Sequence, residues 1–318
     1  MKAGDKILAI LPHSIAGRLI VSSMADGFSS LGFKVDIFDE LFGSDFKSAF
    51  EKENYKYLTS YDFCAINLKR KNGIEAKTLN FFGDEIQDPH SGEGWNLFYD
   101  DLKDDSNLSY IWDKELFEKE NNKNMMYLPH FVNTDIYKKL DVEKKYDVMF
   151  MGRLDTEFRL NNFKRILDEV PSLAFYSIER HYQDALNRLD DKHKPLLEKA
   201  YKGFIDNEPD MAEKINEAHI VINFNAQGVS SLNYRAIQTM ACETLHISDE
   251  RQDGTKYFKD NYISFKTLDE MFKKIYYYLR HREEAIIITK NIRQIIETNF
   301  SHRAGANAMI EFANSKDF

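Results

Sequence analysis

A turn that carries serines and leads into a helix is a favourable place to bind phosphate, and the sequence contains one. The segment Gly228–Cys242 begins as a Gly-Val-Ser-Ser turn and continues with apolar residues at helical spacing. Ser230 or Ser231 can cap this helix, whose free N–H groups and positive end favour an anion. Arg235, one turn further on, adds positive charge. The pattern predicts a phosphate site, although an ordinary capped helix would show the same residues.

A second candidate for anion binding is the sequence Met-Gly-Arg that directly follows a predicted strand. Gly152 would let a ligand approach the backbone closely. Arg153 and Arg159 could then contact a diphosphate with their forked donors. The alternative is a turn glycine flanked by surface arginines. A weaker signal is the stretch Tyr201–Ile205, which could present backbone groups to a nucleobase.

Residues able to move a proton lie mainly in the first part of the chain. His13 follows the first predicted strand, and Asp84 and Glu85 follow another, so all three are candidate catalytic residues. Each of these side chains could act as a general base toward the hydroxyl of a bound ligand. A solvated acidic loop and a histidine at a helix start are the alternatives. His90 and His130 are further candidates in loops.

The elements that must position these residues alternate between strand and helix, which favours parallel sheets covered by helices. The predicted strands are Lys6–Leu11, Val35–Phe38, Phe63–Asn67, Thr78–Phe82, Tyr127–Pro129, Asp147–Met151, Leu173–Ile178, Ile220–Asn225, Thr244–Ser248 and Tyr262–Phe265. The predicted helices are Ile15–Leu31, Arg159–Glu169, Tyr182–Leu189, Leu196–Tyr201, Met211–Ala218, Ser231–Cys242 and the stretch from Leu268 onward, broken near 280–283 and 299–301. Two successive units of this kind predict two doubly wound domains facing a cleft.

Several functional classes are disfavoured by what the sequence lacks. No Gly-x-Gly-x-x-Gly follows the first strand, and neither a Walker loop nor a Gly-x-Ser-x-Gly elbow occurs in the 318 residues. Two cysteines far apart give no zinc spacing and fit a reducing compartment. A net charge of −9 argues against nucleic acid as a partner. No apolar run approaches the ~20 residues that span a bilayer, so we expect a cytoplasmic protein with at most peripheral contact at the inner membrane face.

Several segments together resemble the CgeB-like, or spore-maturation-protein-like, GT-B glycosyltransferases, which have a donor domain of the glycosyl transferases group 1 type. The segments that carry the resemblance, in the family's order, are Tyr127–Asp135, Tyr146–Gly152 with Arg159, Lys202–Ile205, Ile220–Asn225, Ser231–Leu245 and Asn299–Arg303. Ser231–Leu245 matches the group's Arg-x-x-Glu-x-x-Ala-x-Gly region with two departures. Gln238 stands where the family has a glutamate that grips the donor ribose, and Glu243 replaces a glycine.

The resemblance implies a role for each matching residue. Gly152, Arg153 and Arg159 would face the donor diphosphate, Phe204 and Ile205 would border the base, Ser230, Ser231 and Arg235 would hold phosphate, and Gln238 would contact the ribose. Residues 1–140 would form the acceptor-side Rossmann-like domain and 141–298 the nucleotide-sugar domain. Residues 299–318 would form a helix that returns to the first domain.

The function implied is transfer of a sugar from a nucleoside-diphosphate sugar to a hydroxyl of a bacterial surface glycan, glycolipid or protein, in polysaccharide biosynthesis. No metal or other cofactor is expected, because in this architecture arginines and a helix end neutralise the departing diphosphate. A non-catalytic nucleotide- or glycan-binding module and a nucleotide-sugar epimerase of the same architecture are the alternatives.

Overall fold

Two parallel β-sheets organise the chain, and each belongs to a separate packing unit. The computed structural model describes residues 1–43, 45–82, 101–120, 122–224 and 230–318. Contacts assign Met1–Asn133, Ser230–Leu232 and Thr298–Phe318 to the first unit, and Thr134–Val229 and Asn233–Glu297 to the second. None of the described helices is both long and apolar enough to cross a membrane.

The first unit contains a six-stranded parallel sheet with the order β2-β1-β3-β4-β5-β6. Its strands are β1 (Lys6–Leu11), β2 (Lys34–Asp39), β3 (Tyr57–Tyr61), β4 (Lys77–Phe82), β5 (Asn107–Ile111) and β6 (Met125–Tyr127). Its described helices are α1 (Ile15–Ser30), α2 (Phe46–Glu53), α3 (Cys64–Asn72), α4 (Lys114–Glu120) and α13 (His302–Ser315). The inner strands are buried along nearly their whole length, as parallel strands covered on both faces must be.

The second unit contains a five-stranded parallel sheet with the order β11-β10-β9-β7-β8. Its strands are β7 (Tyr146–Met151), β8 (Leu173–Tyr176), β9 (Ala218–Asn223), β10 (Leu245–Asp249) and β11 (Ile263–Phe265). Its described helices are α5 (Glu157–Glu169), α6 (Glu179–Arg188), α7 (Lys194–Ala200), α8 (Glu208–Asn216), α9 (Tyr234–Ala241), α10 (Gln252–Phe258), α11 (Leu268–Arg280) and α12 (Arg282–Asn299). The breaks predicted near residues 280–283 and 299–301 are therefore confirmed.

The linker between the units packs with the second one. Residues 134–140, which the sequence analysis assigns to the first domain, lie in the second unit by their contacts. The guanidinium of Arg293 on α12 donates to the carbonyls of Thr134 and Tyr137, at 3.0 and 2.6 Å, and also to that of Ala241 at 2.5 Å. The side chain of Arg293, from a helix far along the chain, thus holds the linker in place. No local sequence pattern could have revealed this contact.

The segment Phe63–Asn67 is a helix and not the predicted strand. The strand is β3, which ends at Tyr61, and the chain turns into α3 at once. The Ser60 hydroxyl accepts the N–H of Ala65 at 3.0 Å, which stabilises this turn. The helix ends at Gly73, whose φ of 60° is the left-handed conformation typical of a helix terminus. β5 was also missed by the sequence analysis.

The C-terminal segment completes the first unit by packing α13 against α1. The two helices approach closely at Gly27, where a Cβ atom would lie 2.4 Å from the His302 carbonyl oxygen and 2.8 Å from Ala306 Cβ. On the sheet side, the hydroxyl of the fully buried Tyr110 donates to the Met309 carbonyl at 2.8 Å. Glycine is needed at position 27 because any side chain would push the helices apart.

Gly27→Ala tests this close approach. In an ordinary helix the change would stabilise the protein by roughly 1 kcal/mol, because alanine has the higher helix propensity. Here we expect a loss of about 1–3 kcal/mol in the free energy of unfolding, since the added methyl overpacks the α1–α13 contact. Urea unfolding measures it. Ser29→Ala, at an exposed position of the same helix, is the matched control. A stabilised Gly27→Ala variant would contradict the packing.

Candidate active site

The carboxyl ends of β7 and β9 lie side by side in the second sheet, and a glycine follows the first of them. A Cβ atom on Gly152 would lie 3.3 Å from Arg235 Nη1 and 3.4 Å from Phe150 Cζ. Its φ of 154° is also one that side chains rarely adopt. The missing side chain therefore lets the Arg235 guanidinium lie against the backbone at the end of β7.

Arg159 joins the loop after β7 to the end of β9. Its Nη2 donates to the Phe224 carbonyl at 3.1 Å, and its Nη1 donates to Asp155 Oδ1 at 3.2 Å. Burial lowers the pKa of Arg159, although the charge of Asp155 opposes this effect. Because both terminal nitrogens already have protein partners, the geometry favours Arg159 as a residue that positions the loop. Its predicted contact with a diphosphate stays a prediction.

Asp155 is the carboxylate between two arginines. It lies 3.3 Å from Arg153 Nε and 3.2 Å from Arg159 Nη1. Burial acts to raise the pKa of Asp155, but the charges of Arg153 and Arg159 outweigh it and hold the pKa below its ordinary value. The sequence analysis did not single this residue out, although its position two residues after Arg153 was a usable signal.

Arg235 is the third cation of the group. The residue is half-buried, and its guanidinium is enclosed closely enough that burial, followed by repulsion from Arg159 and Arg153, lowers its pKa to about 10. No hydrogen bond or ion pair joins it to another residue in the part of the chain that the structure describes. Two of the three guanidinium groups thus pair with one carboxylate, and the third has no ion pair among the described residues, which makes this edge of the sheet suited to a polyanion.

The helix that carries Arg235 begins later than predicted. Asn233 and not Ser230 or Ser231 is the N-cap of α9, and its side chain accepts the N–H of Ala236 at 3.0 Å. Asn223, at the end of β9, donates to the same side-chain oxygen at 3.1 Å. The expected helix start was wrong because asparagine caps as well as serine does, and the sequence offers both.

The two serines have other partners. Ser230 Oγ donates to Glu115 Oε1 at 3.0 Å, and Ser231 Oγ accepts the N–H of Lys114 at 3.2 Å. Both serines are buried, and contacts assign them to the first unit. Their phosphate contact therefore stays a prediction without support from a helix cap. Residues 225–229, including Gly228, lie outside the described residues.

Gln238 and His246 are both buried in the second unit. The Gln238 amide donates to the Tyr137 hydroxyl at 2.6 Å and is 3% exposed, so its predicted ribose contact stays a prediction. His246, which the sequence analysis missed, has no hydrogen-bond partner on either ring nitrogen among the described residues. Burial, aided by the charge of Arg235, lowers its pKa to about 3, so the ring stays neutral.

Phe204 and Ile205, the two residues predicted to border the base, differ in their exposure to solvent. Lys202 N–H donates to the Phe175 carbonyl at 2.9 Å, and Ser177 N–H donates to the Gly203 carbonyl at 3.0 Å, so the segment runs beside the end of β8. Phe204 then projects with 44% of its surface exposed, whereas Ile205 is buried. An exposed ring can stack on a nucleobase, whereas Ile205 packs inside the unit; the base contact stays a prediction for both residues.

The candidate proton-transfer residues are only partly covered by the structure. His13 lies at the carboxyl end of β1 with 65% of its side chain exposed, and its Nε2 is 3.9 Å from Glu40 Oε2. Asp84, Glu85 and His90 lie outside the described residues. His130, a further candidate in a loop, is buried against Phe81 and Trp112, and burial lowers its pKa to about 3. No group of three His, Cys, Asp or Glu within the described ranges is arranged to hold a metal ion.

Comparison with known proteins shows what the chain is similar to. Residues 163–311 match the model of a family described as glycosyl transferase-like. No curated protein matches the chain. Among solved structures the chain is similar to sucrose-phosphate synthase from Thermosynechococcus elongatus, with 12% identity, a TM-score of 0.71 and 98% of each chain covered. It is also similar to HepE of Anabaena in complex with UDP and glucose, with 12% identity, a TM-score of 0.71 and 98% and 100% covered.

A third similar structure is the DNA-modifying enzyme β-glucosyltransferase, with 15% identity, a TM-score of 0.61 and 98% of this chain and 100% of that chain covered. The chain has the GT-B fold, with two Rossmann-like α/β domains, as the sequence predicted. The family match supports a glycosyltransferase as its class. The narrower likeness to the CgeB-like group stays a prediction.

Asp155→Asn tests the charge balance of the site. A carboxylate whose folded-state pKa is lowered stabilises the fold above its unfolded pKa, and this contribution is lost as the pH falls through the folded pKa. We expect a lower urea midpoint for Asp155→Asn at pH 7, and a difference from wild type that shrinks as the pH falls below about 4. Asp191→Asn, at a fully exposed side chain, is the control. Equal midpoints at pH 7 would contradict the role of Asp155.

Proposed function

We propose that the protein transfers a sugar from a nucleoside-diphosphate sugar to an acceptor hydroxyl in the cytoplasm. The observation that carries the proposal is the group of Arg153, Arg159 and Arg235 at the carboxyl ends of β7 and β9, with one carboxylate and a glycine backbone beside it. Ligands of open α/β sheets bind at this end of the strands. The exposed ring of Phe204 lies after the neighbouring strand β8 and is the proposed contact for the base.

The chemistry follows from where charge develops. The acceptor oxygen forms a bond to the anomeric carbon while the bond from that carbon to the diphosphate oxygen breaks. The electron pair stays on the diphosphate, which gains negative charge, and Arg235 and Arg153 stabilise it with charge-assisted hydrogen bonds. For an inverting transfer, His13, Asp84 or Glu85 would accept the proton of the acceptor hydroxyl.

Arginines that neutralise the diphosphate do the work that a divalent cation does in other sites, so we propose a metal-independent reaction. The proposed acceptor is a hydroxyl of a bacterial surface glycan, glycolipid or protein. One similar structure is named as a DNA-modifying enzyme, but a net charge of −9 counts against DNA as the acceptor here. The buried amide of Gln238 keeps the non-catalytic nucleotide-binding module as the second candidate.

Arg235→Ala tests the proposed donor site. Titration calorimetry with UDP, GDP, CDP and TDP identifies the nucleotide that the wild type binds. For that nucleotide we expect binding about 10- to 100-fold weaker in Arg235→Ala, because a hydrogen bond to a charged group is lost. Arg165→Ala removes the same charge from a surface arginine that pairs with Glu169 and Asp269, and it should bind as wild type does. An unchanged dissociation constant in Arg235→Ala would remove this residue from the site.

Chelation tests the proposed independence from metals. We expect hydrolysis of the nucleotide sugar, measured without an acceptor, to continue at an unchanged rate in excess EDTA, because guanidinium groups and not a cation face the diphosphate. A complete loss of activity that Mg²⁺ restores would contradict this mechanism. Nucleotide binding without any hydrolysis or transfer would favour the non-catalytic module.

A further inference from the structure

A pocket in the second unit lies at the opposite ends of the strands from the arginine group. It has a volume of about 240 Å³, and its wall includes residues at the starts of β9 and β10 together with the facing parts of α11 and α12. The arginine group lies beyond the carboxyl ends of β7 and β9, roughly a full strand length away, on the order of 15–20 Å. The two sites therefore do not share a wall residue.

The wall of this pocket is rich in cations. Lys139, Lys144 and Arg282 line it together with His219, and Glu243 is the single carboxylate among the lining residues. Lys139, Lys144 and Arg282 form no ion pair with a residue in the described ranges. Lys144 Nζ donates to the Ala218 carbonyl at 2.7 Å, and Arg282 Nε donates to the Leu279 carbonyl at 3.2 Å. Each cation keeps further N–H groups that a ligand can use.

The positive groups act on one another across the pocket. Burial lowers the pKa of His219, and the charges of Arg282 and Lys144 lower it further. Lys144 is exposed as a residue, but burial of its ammonium group against the protein lowers its pKa to about 8. The pocket wall carries more positive than negative charge, and an anionic ligand would be attracted to this excess.

Glu243 reaches the pocket through an unusual backbone conformation. It directly follows the cap of α9 with a φ of 52°, the left-handed region where helix ends normally carry glycine. The resemblance noted in the sequence analysis places a glycine at this position. A residue in a strained backbone conformation thus contributes the one acidic residue of the pocket wall.

We propose that this pocket binds a phosphate group or a similar small oxyanion, separately from the arginine group at the other edge of the sheet. The volume equals that of about eight water molecules, which admits a phosphate with several carbons attached. The phosphate can belong to a free metabolite or to a lipid headgroup. The second source is suggested by Ile286 and Ile287, which follow Arg282 on α12 and are 45% and 61% exposed.

The test uses inorganic phosphate and pyrophosphate as probes in titration calorimetry. The whole chain carries Arg235→Ala, so that the arginine group contributes as little as possible. We expect Lys144→Gln and Arg282→Gln each to weaken binding about 5- to 20-fold, since each removes one charged contact. Glu243→Gln should strengthen binding, because it removes the opposing charge. Lys199→Gln, at an exposed lysine of α7 outside the pocket, is the matched control and should change nothing.

Weaker binding in Lys144→Gln and stronger binding in Glu243→Gln would distinguish a specific site from attraction to the overall charge of the protein. Binding that falls equally in Lys144→Gln and Lys199→Gln, or that does not rise in Glu243→Gln, would overturn the proposal. Circular dichroism confirms that each variant is folded.

Sedimentation with phosphatidylcholine vesicles, with and without phosphatidylserine, identifies the source of the phosphate. Binding to the anionic vesicles alone, lost in Arg282→Gln, supports a headgroup, and binding of inorganic phosphate supports a free metabolite. If neither probe binds, the proposal is wrong. Nucleotide binding in a protein with Arg235 intact should be unaffected by Arg282→Gln, so failure here leaves the proposed transferase function standing.

Discussion

Three guanidinium groups held close together, with one carboxylate between two of them, set the main constraint on the second unit. Burial, followed by repulsion from Arg159 and Arg153, lowers the pKa of Arg235. The arrangement persists because the surrounding structure fixes each member. Arg159 is tied to the end of β9 and to Asp155, and Gly152 leaves the space that Arg235 occupies. Under the proposed function, these groups are held in place before a diphosphate binds, so little reorganisation would be needed on binding.

The parallel sheet explains why distant segments converge there. β7 and β9 are parallel neighbours although about 70 residues separate them, so the two strands end at the same edge of the sheet. The side chain of Asn223, at the end of β9, donates a hydrogen bond to the side chain of Asn233, which is the N-cap of the helix that carries Arg235. The position of Arg235 therefore depends on the strand as much as on its own helix. A substitution at the carboxyl end of β7 or β9 should therefore alter the position of Arg235.

Sequence patterns were sufficient for the architecture, and they singled out several of the residues that the structure brings together at the end of β7. Buried strands alternating with helices predicted the two parallel sheets, and Gly152, Arg153 and Arg235 were singled out from their positions after strands. The errors have physical causes. Ser230 and Ser231 satisfy the local rules for an N-cap, but their partners Glu115 and Lys114 lie more than a hundred residues away in sequence. The burial of Gln238 against Tyr137 depends in the same way on a contact about a hundred residues away.

The first unit is assembled from both ends of the described chain, whereas nearly all of the second comes from residues 134–297. During synthesis on the ribosome, α1 therefore emerges long before α13, the helix that covers its Gly27 face. All the strands of the second sheet have been made by then. Domains generally fold as units while the chain is made. The second unit can thus fold before the first is complete. The Gly27 face of α1 stays uncovered until α13 has been synthesised.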